Sequence, residues 1–373
     1  MPVRATKRGA QRTPLGGDFD ALICGASFAG LTIARELSGA GKRVLMVDRY
    51  EIGERQTSAC AAPTEWLRAM GLDAAILQTF RELTIHRPRS SRRWTLPWSF
   101  STFDYRELCA LLKAQSPDVP FETAKIEGRT RDADGMHTVR TDRGDLRAPL
   151  VVDALGWRRV LSNAEAIQPP EARLSRGLEV HPPAVSDELA IWLHPKYCPE
   201  GYGWAFPARD EVRIGVGSFD PRKHVKDETV QLTRDVGLEP EGYQGNWIPH
   251  ELRPAVEDGV FFVGDSAGHC LPTTAEGIRT AFYFGVAAGR ELRAVLDGAS
   301  TREQALERYG AFSARHAWKF RWMLRTQRIV GRINATPWLD ALIAAWGAQP
   351  IIDWSFEHYR RIAAPERIGL ARA

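Results

Sequence analysis

The chain has 373 residues, 44% hydrophobic and 26% charged, with a net charge of +4. That length supports one large or two intertwined domains with a sizeable core, and the lack of any long uninterrupted apolar run excludes a membrane-spanning helix. Five cysteines (24, 60, 109, 198 and 270) show neither CxxC spacing nor metal-like pairing with histidine, so no metal site is expected and a reducing cytoplasm is.

Charge is concentrated at the ends. Residues 1–17 carry Arg4, Lys7, Arg8 and Arg12 with no acid and no apolar core, which predicts a disordered basic tail and no signal peptide. Residues 301–373 hold twelve Lys/Arg against six Asp/Glu. Taking these surpluses of four and six from the net +4 leaves the central body at −6.

In chain order, Phe19–Cys24 reads as a short buried strand followed by Gly25-Ala26-Ser27-Phe28-Ala29-Gly30. Leu31–Ser38 has helical spacing, and Arg43–Val47 is a second apolar strand ending at Asp48-Arg49. This is a dinucleotide fingerprint with Ser27 in place of the second glycine. Gly25 makes the tight turn, Gly30 lets helix and strand approach, and the helix N-terminus faces a pyrophosphate. Asp48 stands where a carboxylate accepts ribose hydroxyls.

Pro63–Gly71 and Ala74–Phe80 have helical spacing, and Arg87–Trp98 is basic, aromatic and Pro-punctuated, as in strands. Tyr105–Lys113 predicts a helix, and Phe121–Gly128 and Met136–Thr141 predict strands. Leu150-Val151-Val152 is a further strand that ends at Asp153, a third strand-end acid expected at the cofactor, before Ala154-Leu155-Gly156.

Tyr202-Gly203-Trp204-Ala205-Phe206-Pro207 alternates bulk with small residues, the period of a strand. Ala208–Glu211 predicts a turn, and Val212–Ser218 returns with Gly215 and Gly217. A four-residue loop sets Trp204 opposite Gly215 and Tyr202 opposite Gly217. Aromatics facing glycines predict a flat slot for a planar or polyunsaturated apolar substrate.

Val260–Val263 is a buried strand ending in Gly264-Asp265, and Thr273 and Glu276 predict a capping box for the next helix. A dehydrogenase continues from its fingerprint with further βα units, whereas here a second glycine–acid element stands near residue 265. That arrangement suits FAD. Asp265 is then expected on the ribitol or pyrophosphate, and Gly277-Ile278 aim a helix N-terminus at the flavin. Residues 302–360 predict tryptophan-rich helices, in which Arg321, Arg325, Arg328 and Arg332 form one basic stripe and Phe320, Met323 and Val330 another face. The stripe predicts a lid meeting phosphate or a peripheral membrane contact. No nucleic-acid motif accompanies the charge.

The order G-x-S-x-x-G, D-A-x-G and G-D-S-A-G resembles the p-hydroxybenzoate-hydroxylase-type flavoproteins, and within them the chain is most similar to the geranylgeranyl reductase family. Y-x-W-x-F-P, seven residues, then G-x-G matches that family's substrate motif. The resemblance covers roughly residues 18–300 and implies an α/β fold. Its parts are a Rossmann-like FAD-binding domain (18–86, 102–165 and 250–300), an intertwined β-sheet substrate domain (87–101 and 166–249) and a C-terminal helical cap (301–373). It also implies Tyr202, Trp204 and Phe206, with Gly215 and Gly217, at the substrate, and Cys60 near the flavin, although Ala61 replaces the family's following glycine. Arg106, one position late in Asp104-Tyr105-Arg106, stands for the family's FAD-contacting arginine.

The reaction implied is reduction of C=C bonds in a polyprenyl or similar chain by hydride from reduced flavin, with Tyr202, Trp204 and Cys60 the catalytic candidates. The electrons come from NAD(P)H or a small redox protein. The alternative on this scaffold is a monooxygenase that hydroxylates or epoxidises an apolar or aromatic substrate via C4a-hydroperoxyflavin. A halogenase is disfavoured, because no lysine falls between Lys42 and Lys113. A non-catalytic flavin binder is the third reading.

Overall fold

The computed structural model describes residues 13–56, 58–164, 171 and 174–370, so most of the expected basic tail lies outside the described residues. The first apolar run forms the strand Ala21–Cys24, fully buried at the centre of a six-stranded sheet. Leu150–Asp153 and Val44–Asp48 flank it in parallel, Val260–Phe262 and Phe121–Thr123 lie outside them, and the short antiparallel Val256–Glu257 closes one edge. Such strands read as continuous apolar runs because helices or other layers cover both faces.

Helix Phe28–Leu37 packs along helix Ile278–Leu296. Glycines bring the two close: a Cβ at Gly285 would lie 3.0 Å from Thr32, and one at Gly289 would lie 2.6 Å from Glu36. The two helices, about 250 positions apart in sequence, are thereby locked together.

An eight-stranded sheet runs in the order Gln244–Pro249, Leu174–Val180, Glu211–Ser218, Gly201–Ala208, Ala190–Trp192, Ile76–His86, Ser91–Phe103, Ala61–Pro63. The helix expected over 74–80 is a correction: only Asp73–Ala75 makes a helical turn, and Ile76–His86 is a strand paired with Ser91–Phe103. The larger sheet therefore takes strands from the stretch 18–86. A four-stranded sheet of Gly17–Asp18, Gly144–Ala148, His137–Thr141 and Ile126–Arg131 sits to one side.

Helices Ala317–Ile333, Pro337–Trp346 and Gln349–Arg360 return over the large sheet. Leu339 and Ile343 complete a cluster with Phe80, Leu83, Leu96 and Phe206. Arg87, buried just after strand Ile76–His86, reaches Asp340 at 3.0 Å and Asn334 Oδ1 at 2.8 Å. A buried guanidinium needs such partners, so it fixes where the helices dock. No helix of the described residues is long and apolar enough to cross a membrane.

Candidate functional site

The nucleotide turn is built by exclusion of side chains. Gly25 has φ +114, and a Cβ there would lie 2.2 Å from the Ala154 carbonyl oxygen. A Cβ at Gly30 would lie 1.8 Å from the Gly25 carbonyl oxygen, so only glycine lets the helix start this close. Ser27 stands just before helix Phe28–Leu37 and makes no side-chain cap; its hydroxyl lies 3.2 Å from the Tyr105 hydroxyl instead. Asp48 accepts from the Ala26 N–H at 2.8 Å and the Tyr50 N–H at 3.1 Å, and burial pushes its carboxyl up against those bonds. It shapes the turn and keeps acceptor capacity, since each carboxylate oxygen has two lone pairs. Arg49 lies 4.8 Å over the Tyr50 ring, and exposed Arg106 lies in the first turn of its helix against Gly53.

The second element meets the first directly: Gly264 has φ +67 and would set a Cβ 3.2 Å from the Ala29 methyl. Asp265 has no hydrogen-bond partner for its carboxylate among the described residues, and burial pushes it up to about 6 against the pull of Arg253. Its Oδ1 lies 3.6 Å from where a Gly277 Cβ would stand. Gly277 precedes helix Ile278–Leu296, whose first turn holds no acid. Asp153 behaves differently. It is fully buried and accepts from the Leu155 and Leu161 N–H groups and from Ser266 Oγ at 2.6 Å. Its carboxylate is occupied in joining the two motif loops, where it was expected to meet the cofactor.

The capping box is also corrected. Thr273 Oγ1 donates to the Met323 carbonyl, and Glu276 caps nothing. Its carboxylate pairs with Arg279 Nε at 2.8 Å and accepts from the Tyr359 hydroxyl, so its charge is offset within the protein. Thr274 joins the same knot, its hydroxyl 2.8 Å from that of Tyr359 and its carbonyl accepting from Tyr202 Oη at 2.7 Å.

The aromatic hairpin has the expected register, Tyr202 opposite Gly217 and Trp204 opposite Gly215. The turn is shorter: Ala208 pairs with Glu211 and Arg209 takes φ +64. The slot is a correction. The indole itself lies across the glycines, for a Cβ at Gly215 would come 2.2 Å from its Cζ2. What remains is a shelf of three half-buried rings, closed at the Phe206 end by Leu339 and Ile343 and at the Tyr202 end by Thr274. The opposite face of the hairpin is sealed by helix Lys226–Asp235, whose Leu232 fills the space beside Gly203.

Behind the shelf runs a buried charged chain that sequence reasoning missed. Trp204 Nε1 donates to Glu179 at 3.1 Å, Glu179 meets His181 Nε2 at 3.0 Å, and His181 Nδ1 lies 3.5 Å from Glu211. Arg213 pairs with Glu211 at 2.8 Å and donates to the carbonyls of Ala59, Cys60 and Phe103. Burial opposes the imidazolium, yet the two carboxylates outweigh it and hold His181 up at about 9. The only local signal was alternation, which sets Glu179 and His181 on one face of a strand otherwise apolar at Leu174, Leu178 and Val180.

Cys60, at the end of this chain, has φ +52 and is fully buried, and burial pushes its thiol well above the ordinary value. It presents no surface to a substrate, which corrects its candidacy for catalysis. His269 is likewise buried and neutral, stacked on Phe284 and bonded to Ser313.

The glycine turn with its short helix-start N–H groups, the unpartnered Asp265 and the glycine-led start of helix Ile278–Leu296 fit the diphosphate, ribitol and flavin edge of FAD. Together with the sheet order they define a flavin-dependent oxidoreductase of the doubly wound type. No family model matches the chain. Over 340 residues it is 23% identical to digeranylgeranylglycerophospholipid reductase 3 of Methanosphaera stadtmanae, covering 81% of this chain and 84% of that protein. A geranylgeranyl bacteriochlorophyll reductase-like protein of Thermoplasma acidophilum superposes with a TM-score of 0.81 at 17% identity, over 94% of this chain and 98% of the other. Anhydrotetracycline hydroxylase of Streptomyces rimosus superposes with a TM-score of 0.68 at 18% identity, over 93% and 76%. In sequence and in fold the chain is similar to geranylgeranyl reductases.

Proposed function

We propose that the protein reduces isolated C=C bonds of a polyprenyl or similar apolar unsaturated chain. The observation that carries this reading is the shelf of Tyr202, Trp204 and Phe206, an aromatic strip running from the Thr274 turn into an apolar cluster. An extended hydrocarbon fits such a strip, whereas a compact ring leaves most of it uncovered.

In this reading the Gly25–Gly30 turn and the start of helix Phe28–Leu37 hold the FAD diphosphate, Asp48 the ribose, and Asp265 the ribitol. Arg49 and Arg106 flank the nucleotide end, and the N–H groups of Gly277 and Ile278 meet the flavin edge. When bound and reduced, FAD supplies a hydride to one alkene carbon. Trp204 positions the chain, its ring immobilised by Glu179 and the glycine bed. Tyr202 holds a proton at Oη: burial pushes its pKa up, so the hydroxyl stays protonated and points along the shelf edge at Thr274. The C-terminal helices exclude water, which is where precise placement lowers the barrier. NAD(P)H or a small redox protein supplies the electrons.

The same helices expose Trp318, Trp322, Trp338 and Trp354, each more than 60% accessible, beside exposed Arg321, Arg325, Arg328 and Arg332. Indoles and arginines together suit a membrane interface, so the protein docks peripherally to reach an apolar substrate. Anaerobic incubation of reduced, FAD-loaded protein with geranylgeranyl diphosphate or a geranylgeranyl lipid tests the reading. Product gaining two hydrogens per bond supports it, and product gaining oxygen only in air replaces it with the monooxygenase.

A further inference from the structure

Between the loop after Asp48 and the edge of the eight-stranded sheet lies a cleft of about 400 Å³ lined by Arg49, Arg55, Arg158, Arg176, His224 and Lys226. No carboxylate lines it among the described residues. These groups come from four separate segments: the loop after Asp48, the turn after Asp153, the strand Leu174–Val180, and the loop and first turn at helix Lys226–Asp235. In a central body of net charge −6, so local a convergence of positive charge is built by the fold, not by composition.

Among the described residues no ion pair involves Arg55, Arg158, Arg176 or Lys226. Arg55 donates to the Tyr50 hydroxyl, while Arg158 lies 5.3 Å over Trp157, Arg176 5.0 Å over Trp247 and Lys226 5.7 Å over Tyr243. Burial pulls Arg49 down, Tyr50 and Asp48 oppose that shift, and Arg55 and Arg158 add to it. Positive groups that converge on one cleft favour an incoming anion.

The rest of the lining suits the remainder of a ligand. Trp157 and Trp247 also wall the cleft, their rings 6.3 Å apart. Gly177 and Gly245 keep its floor open, and a Cβ at Gly177 would stand 3.7 Å from the Trp204 indole, so the floor abuts the shelf.

We propose that this cleft is a second anion site, which binds the diphosphate of a small ligand other than FAD, with Trp157 and Trp247 taking the ligand's apolar or aromatic part. The FAD diphosphate has its own place at the Gly25–Gly30 turn. Two ligands of the reaction proposed above carry a diphosphate, a nicotinamide dinucleotide donor and a prenyl diphosphate, and which of them belongs here rests on that reading.

The test is calorimetric titration of FAD-loaded protein with inorganic pyrophosphate, NADPH and geranylgeranyl diphosphate, each alone and in competition. The expected result is that pyrophosphate binds, that one of the organic ligands binds more tightly and competes with it, and that added salt weakens both. In the double variant Arg176→Gln/Lys226→Gln both affinities fall about tenfold or more, as loss of charge-assisted bonds implies, while FAD affinity and melting temperature hold. Arg158→Gln, on the opposite wall, gives the same result if the double variant does not fold. Three outcomes overturn the proposal: no pyrophosphate binding, binding unchanged in the variants, or variants that lose FAD, which would make the cleft part of the cofactor site. Pyrophosphate binding with neither organic ligand overturns it as well. Because binding and not turnover is read, a bound ligand without alkene reduction contradicts the function proposed above and leaves this site standing.

Discussion

The indole of Trp204 donates to Glu179 Oε2 at 3.1 Å, and its ring occupies the space that a side chain at Gly215 would need. A Cβ at Gly215 would also stand 2.7 Å from the Leu178 carbonyl, so neither ring nor backbone can absorb it without moving. Gly215→Ala therefore tilts the shelf. Steady-state assays should show kcat/KM reduced on the order of a hundredfold, the cost of misplacing a positioning group by about an ångström. Unchanged kinetics would remove Trp204 from the site.

His181 links stability to pH. Its folded value of about 9 lies above the ordinary histidine value, so its contribution is complete below about pH 6.5 and is lost as pH rises through 9. Melting temperature should fall from pH 7 to pH 9.5 in the native chain. In His181→Gln it should start lower and change little over that window. Glu211, held down at about 2 despite burial by His181 and Arg213, keeps its side of the pair through neutral pH.

Asp265 is expected to trade stability for binding. Burial raises its carboxyl to about 6 with no hydrogen bond to compensate, so at neutral pH its charge destabilises the FAD-free fold. That penalty is absent well below pH 4, where the group is protonated folded or unfolded, and complete once pH exceeds about 6. Asp265→Asn should raise the melting temperature of FAD-free protein at pH 7 and weaken FAD binding, read by flavin fluorescence.

Much of this arrangement was legible in the residues. The hairpin register survived even though the turn has two residues instead of four, because shortening it symmetrically leaves the pairing of Trp204 with Gly215 unchanged. The glycine turn was legible because sterics leave no other residue possible at Gly25 or Gly30. What failed depended on distant partners. Ala74–Phe80 has spacing compatible with a helix, yet the pull of a long hairpin with Ser91–Phe103 makes it a strand. Glu276 had the spacing of a cap, but Arg279 and Tyr359, the latter 83 residues away, take its carboxylate. Asp153 looked like a third cofactor acid until Ser266, brought in from 113 residues away, consumed its oxygen.

The exposed tryptophans give a prediction independent of catalysis. Co-sedimentation with vesicles containing anionic lipid should retain the native protein, and a Trp338→Ser/Trp354→Ser variant should remain largely in the supernatant. Arg325→Glu/Arg328→Glu should weaken retention in low salt and matter less in high salt.

Reduction of an alkene by the reduced protein is read in one step by the reoxidation of photoreduced, FAD-loaded protein on mixing with geranylgeranyl diphosphate, without oxygen. The oxidised flavin absorbance should return in the absence of air, at a rate that depends on substrate concentration and collapses in Trp204→Ala. Absorbance that stays bleached until oxygen is admitted, with substrate recovered unsaturated or oxygenated, would contradict it.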